Sequence, residues 1–128
     1  MLDAGGEVMI DSFRDLIVYQ KAYKMSLDMH KLTMTFPKFE QNELANQLRR
    51  ASKSVAMNIA EGFGRKSYST LADFKRFMII ALGSNDEVRV QLDYCKDLGY
   101  MSQEQYVTYE SSCQEIGKIL TVMLKTWK

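Results

Sequence analysis

The chain has 128 residues, 46% of them apolar: about one domain by length, with enough apolar material for a packed core and too much for a disordered chain. Seventeen basic and sixteen acidic side chains leave a formal net charge of +1, which argues against a strongly basic nucleic-acid binder and against a polyacidic tail. One proline and seven glycines are too few turn-formers for a β sandwich.

Residues 1–11 carry Gly5-Gly6, mixed charge and no hydrophobic period, so they read as a loose N-terminal arm ahead of a single domain over 12–128. Ser12 followed by Asp15 is a helix-start signature, in which each side chain satisfies the other's backbone N–H. Leu16, Tyr19, Tyr23 and Leu27, and beside them Ala22, Met25, Met29, Leu32 and Phe36, recur at spacings of three and four. This predicts an amphipathic helix over about 13–35, stopped by Pro37, which has no N–H and disfavours a helical Phe36. Leu44, Leu48, Ala51, Val55, Ile59 and Gly62 mark a second helix over about 41–63. Gly62-Phe63-Gly64 is read as its stop, since glycine tolerates the left-handed C-terminal turn. Gly62-x-Gly64, opening a helix, could instead offer N–H groups to an anion, though the helix stop is the preferred reading.

Thr70 and Asp73 cap a third helix, whose apolar positions run from Leu71, Phe74, Phe77 and Met78 to Val88, Leu92 and Cys95. It closes at Leu98-Gly99. Gly83-Ser84-Asn85 marks a kink, a close packing point or a restart, and one continuous long helix is the preferred reading. Ser102, with Gln105 three residues on and Met101 and Tyr106 flanking, is the clearest start in the chain. From it Tyr106, Tyr109, Cys113, Ile116, Leu120, Met123, Leu124 and Trp127 form one stripe. Four helices of about 23 to 30 residues with short links predict an all-α, up-down-up-down antiparallel four-helix bundle.

No apolar run is long enough for a spanning helix, and MLDAGGEVMIDS lacks the basic and apolar regions of a signal peptide. A cytoplasmic protein with no membrane partner is expected. Cys95 and Cys113 are too few for a disulfide framework. On antiparallel helices turning near residues 99–101 they fall about 10 Å apart along the axis, beyond the roughly 7 Å between Cα atoms that a bridge spans. They read as small core residues.

Chemistry-bearing patterns are sparse. His30 is the only histidine, and the Glu-x-x-His pairs of carboxylate-bridged metal bundles are missing, so no metal or other cofactor is expected and His30 reads as a surface residue. No serine or cysteine has a histidine base at motif spacing. No enzyme and no small-molecule substrate are expected.

Charge is uneven even though its total is not. Arg49, Arg50, Lys53, Arg65, Lys66, Lys75 and Arg76 face only two acids, Glu61 and Asp73, over the same stretch. The segment is either a face for RNA or DNA, where phosphate contacts dominate affinity, or a solvated face beside an acidic neighbour; aromatic residues are not interleaved as a base-stacking platform requires. Arg50, Ser54, Asn58 and Glu61 form a polar row beside the second helix's apolar stripe, and a polar row at a core border must find partners. A network fixing helix register is preferred over a catalytic carboxylate at Glu61. Phe63, Tyr68, Phe74, Phe77, Ile79 and Ile80 supply more apolar surface than one stripe can hide. The first half of the third helix, apolar nearly all round, is therefore expected to pack against another subunit.

The order of several segments resembles a known family. Phe13-Arg14-Asp15-Leu16-Ile17-Val18-Tyr19-Gln20-Lys21-Ala22, Phe36-Pro37, Gln47-Leu48-Arg49-Arg50-Ala51, Asn58-Ile59-Ala60-Glu61-Gly62, Arg65-Lys66-Ser67, Ile80-Ala81-Leu82-Gly83-Ser84 and Leu98-Gly99-Tyr100 are similar to the bacterial four-helix 23S rRNA intervening-sequence proteins, over about residues 13–125. Asn85 departs from the apolar residue expected after Gly-Ser. The resemblance implies a ring, a homopentamer, with no catalytic activity or cofactor. The family is also similar to the accessory proteins of diversity-generating retroelements, which bind nucleic acid and a reverse transcriptase. The reading is thus a non-enzymatic oligomeric scaffold or interaction module, with a nucleic-acid-binding accessory protein as the alternative.

Overall fold

The structure is a computed structural model that describes residues 11–68 and 70–126, with backbone only for 66–68. Four helices carry it: α1 (Ile17–Thr33), α2 (Leu44–Tyr68), α3 (Leu71–Asp97) and α4 (Gln103–Thr126), with single 3-10 turns at Phe13–Asp15 and Lys38–Glu40. No strand occurs among the described residues.

Cross-helix contacts run in opposite senses along each pair. Ser54 and Gly62 of α2 meet Ser84 and Met78 of α3. Asn85 and Arg89 of α3 meet Cys113 and Glu110 of α4, and Lys21 of α1 meets Glu115 of α4 while Asp28 of α1 lies near Tyr109. All three pairs are therefore antiparallel. α1 packs on α2 and α4, α3 packs on the same two, and α1 and α3 sit diagonally. The core is one cluster with an inward stripe from each helix: Val18, Ala22, Met25 and Met29; Leu48, Val55 and Ile59; Phe74, Met78, Ala81, Val88 and Leu92; Cys113, Ile116 and Leu120.

The first helix begins later than its periodicity predicts. Ser12 and Asp15 form the reciprocal cap, but it closes only a 3-10 turn, after which Leu16 turns extended (φ −72°, ψ 124°) and buries its side chain. The helix also ends early, because its last turn tightens into i→i+3 bonds from Thr35 to Leu32 and from Phe36 to Thr33. Of the two predicted stripes, the one through Ala22, Met25 and Met29 is inside; Tyr23 and Leu27 are exposed.

α2 starts at Leu44 rather than 41 because Gln41 is used elsewhere. Its side-chain amide donates to the Thr33 and Phe36 carbonyls at the end of α1. At the other end, Gly62-Phe63-Gly64 does not stop the helix, which continues to Tyr68. A Cβ at Gly62 would lie 2.5 Å from Met78 Cε and 2.9 Å from Phe77 Cβ, so this glycine lets α3 approach rather than ending α2.

α3 passes through Gly83-Ser84-Asn85 unbroken. Ser84 and Asn85 are buried, with their polar groups turned to the neighbouring helices: Ser84 Oγ lies 2.8 Å from Ser54 Oγ, and Asn85 donates to the Cys113 carbonyl at 2.8 Å. The α3 end is a Schellman turn: Tyr100 N–H bonds the Cys95 carbonyl, Gly99 N–H bonds Lys96, and Gly99 takes φ +82°. Tyr100 then packs its ring, tilted, against Phe36 and donates to Glu40, tying both loops at that end of the bundle. Ser102 and Gln105 cap α4 reciprocally.

Candidate interaction surface

α2 has two seams of different character. Against α3 it is closed by Gly62, Val55 and Ile59 and by the Ser54–Ser84 bond. Against α1 an open groove of about 1200 Å³ remains. Small residues make the groove: Ala56, Ala60 and Gly64 recur every fourth position of α2 and form its floor, while Phe13, Tyr19, Tyr23 and Leu27 wall it from the α1 side. Met57, 68% exposed, stands at its edge. His30, Lys53, Glu61 and Arg65 complete the rim. Residues three and four apart share a helix face, so the sequence that builds the floor also determines which rim residues border it.

Of the seven basic residues singled out by charge, Arg49 belongs to the fold. Its guanidinium donates to Thr33 Oγ1 at 3.0 Å, to Gln41 Oε1 at 3.1 Å and to the Gln41 carbonyl at 2.9 Å, clamping the α1–α2 connection. Arg65 pairs with Glu61 at 3.2 Å and lies over the Phe77 ring, as does Arg76, which also pairs with Asp73 at 3.6 Å. Arg50, Lys53 and Lys75 make no ion pair among the described residues. The side chain of Lys66 lies outside the described residues. The seven therefore do not form one open basic face.

The polar row is half a network. Asn58 donates to the Ser54 carbonyl and hydroxyl, and Ser54 meets Ser84, so these two residues join α2 to α3. Arg50 is exposed and Glu61 turns to Arg65, because the row spirals away from the α3 seam toward solvent. The third helix is likewise not apolar toward a neighbour on all sides. Phe74 is fully buried in the chain's own core, which corrects its assignment to a subunit interface: it lies diametrically inside, one turn from Met78. Phe63 and Phe77 are half-buried, Phe77 beneath the two arginines. Ile79 (59% exposed) and Ile80 (41%) face out, and Tyr68 lies outside the described side chains.

Sequence reasoning missed the outward stripe of α3 as a unit. Ile79, Ile80, Gly83, Glu87, Val90 and Tyr94 follow helical spacing and are all exposed. Its signal was there, since apolar residues recur opposite the stripe that runs from Phe74 to Cys95.

Neither cysteine is bridged, and both are buried. Burial pushes each thiol up to about 12, so neither is poised as a nucleophile. No group of three or more metal-ligating side chains is gathered among the described residues. No helix among them is long and apolar enough to cross a membrane.

The fold and surface define an antiparallel four-helix protein whose most developed feature is an open apolar groove. The chain belongs to the 23S rRNA-intervening sequence protein family, whose model matches residues 14–122. It is similar to the crystal structure of a protein of unknown function from the S23 ribosomal protein family of Bacteroides thetaiotaomicron, with 26% identity and a TM-score of 0.76 over 86% of this chain and 96% of that one. No curated protein matches it.

Proposed function

We propose that this protein is a non-enzymatic, self-associating helical module of the cytoplasm, whose copies form a closed ring and present one repeated surface per subunit. The observation that carries the reading is the groove between α1 and α2. A single chain leaves Tyr23, Leu27 and Met57 open to water beside it, and apolar surface of this extent favours association. The outward stripe of α3 lies on a different side of the bundle. Two distinct faces suit a head-to-tail contact, which generates a ring when the rotation closes. A ring of five, the assembly implied by the family resemblance, is the stoichiometry proposed. Repeated display would raise affinity for a multivalent partner without any new contact.

A nucleic-acid partner is the weaker reading. Of the seven basic residues, Arg49 is held by Thr33 and Gln41, while Arg65 and Arg76 are held by neighbouring acids and Phe77. Glu61, the one carboxylate on the groove, is engaged by Arg65 rather than set against a second acid–base group. Native mass spectrometry of the full chain tests the proposal: an oligomer of one defined size at micromolar concentration is expected, and a monomer there overturns it.

A further inference from the structure

The groove between α1 and α2 has one segment of this same chain at its mouth. Thr33, at the end of α1, accepts a hydrogen bond from Arg49 near the start of α2, so the start of α1 lies beside the far end of α2. Phe13, just ahead of α1, therefore stands at the Gly64 and Arg65 end of the groove, its ring edge-on to Tyr19 at 4.9 Å. The backbone N–H groups of Asp11 and Ser12 both donate to Asp15 Oδ2, at 3.2 and 3.1 Å. The chain is thus fixed from residue 11 onward, and residues 1–10 depart from a point beside the groove.

Length and chemistry suit that segment to the groove. An extended chain covers about 3.3 Å per residue, so ten residues reach about 33 Å. The floor from Ala56 to Gly64 is only about 12 Å long, and Lys53 lies about 16 Å from Gly64, at roughly 1.5 Å per helical residue. A chain lying flat on a helix needs small residues beneath it. Here they are Ala56, Ala60 and Gly64, and a Cβ built at Gly64 meets nothing within 4 Å. Met1, Leu2, Val8, Met9 and Ile10 supply apolar side chains, and covering them beside Tyr19, Tyr23 and Met57 is favourable. Asp3 and Glu7 are the only charged side chains of the segment. The groove rim carries His30, Lys53, Glu61 and Arg65. Glu61 is taken by Arg65 at 3.2 Å, and Lys53 has no acid among the described residues. Glu7, four residues ahead of Asp11, reaches about 14 Å back along the groove, within a side chain's length of Lys53.

We infer that residues 1–10 lie back over the groove of their own chain, with Val8 and Ile10 toward its floor and Glu7 beside Lys53. The segment is then an internal competitor: its regulatory effect rests on the self-association proposed above, because it must leave before a second copy can use the groove. Ordering ten residues offsets much of what their burial gains, so the contact is weak on its own. The tether makes it effective, since a linked segment acts at high local concentration. Assembly is thereby held back until copies are abundant enough to displace the arm.

Bimane fluorescence tests the placement. The dye is attached at Gly6→Cys in the full chain, where the buried Cys95 and Cys113 do not compete for it. Tyr23→Trp puts a contact quencher on the groove wall, and the same labelled chain without that substitution corrects for Trp127. At nanomolar concentration, where copies are apart, the introduced indole is expected to cause a loss of dye emission. Ile10→Asp and Glu7→Lys are each expected to restore emission, and Glu7→Lys combined with Lys53→Glu to quench it again. Equal emission with and without the indole overturns the proposal. Quenching that appears only as concentration rises also overturns it, because the arm then lies on another copy. Sedimentation reads the competition: Ile10→Asp is expected to tighten association about tenfold, the gain when roughly nine copies in ten hold the arm. Weaker or unchanged association in that variant overturns the competition. A wild type that stays monomeric at micromolar concentration overturns the self-association alone, and the dye still decides where the arm lies.

Discussion

The two seams of α2 show how the same residue type serves opposite ends. On the α3 side, Gly62 removes a side chain so that Met78 and Phe77 can close the gap. On the α1 side, two residues further on, Gly64 removes a side chain and the gap stays open. A closed seam contributes to the stability of the subunit. An open one contributes nothing to it and leaves apolar surface for something outside.

The largest test of that difference is truncation on the two sides of α3. Phe74 is fully buried, and Phe74→Ala removes a core ring, an expected loss of about 3–5 kcal/mol. Ile79→Ala, on the exposed face, should change the stability of the dispersed chain by less than about 0.5 kcal/mol. Urea denaturation at protein concentrations low enough to disperse any assembly measures both. Comparable losses would mean that the outward face is covered within the subunit.

The glycines sharpen the contrast. Gly62→Ala forces a methyl against Phe77 Cβ, which is fixed to the α3 backbone, and against the mobile end of Met78; overpacking of this kind costs about 1–3 kcal/mol. Gly64→Ala meets open space and should stabilise the dispersed chain by about 0.5–1 kcal/mol. The same urea midpoints should move in opposite directions for these two neighbouring substitutions.

A further effect concerns the closed side and shows only at high pH. Cys95 and Cys113 sit in the α3–α4 half of the core with folded values near 12, raised by burial. A raised acid keeps its proton in the folded chain while the unfolded chain gives it up. Stability from these groups is therefore complete below about pH 8 and falls as pH climbs toward 12, by roughly 1–2 kcal/mol per thiol at pH 10. Comparison with Cys113→Ala, titrated by denaturation from pH 7 to pH 10, isolates the contribution of that thiol: the variant should show the shallower decline. An equal decline would mean that the thiol ionises in place.

Much of the architecture could be read from the spacing of apolar residues. The 3.6-residue period of Leu48, Ala51, Val55 and Ile59 can bury only one face, and Thr70 and Ser102 mark starts through caps that need only local atoms. Where reading failed, distant residues decided. Glycine at 62 suits either a stop or a close approach, and only the position of Met78 chooses between them. The Ser12 cap is local and correct, yet the length of the helix it opens depends on Leu16 finding the core. Arg49 carries the same charge as Arg50, but three acceptors from Thr33 and Gln41 hold the first and none among the described residues holds the second.

By itself the sequence determined four helices, their order and the family, because periodicity, caps and the ordered segments are properties of neighbours along the chain. Only the tertiary structure decided which side of each helix is covered. Tyr23, Leu27 and Ile79 are as apolar as the buried Met29 and Met78, and what separates them is the placement of other helices. The groove exists because Ala56, Ala60 and Gly64 are too small to fill the space that α1 leaves, a fact about volume between two helices that neither segment carries alone.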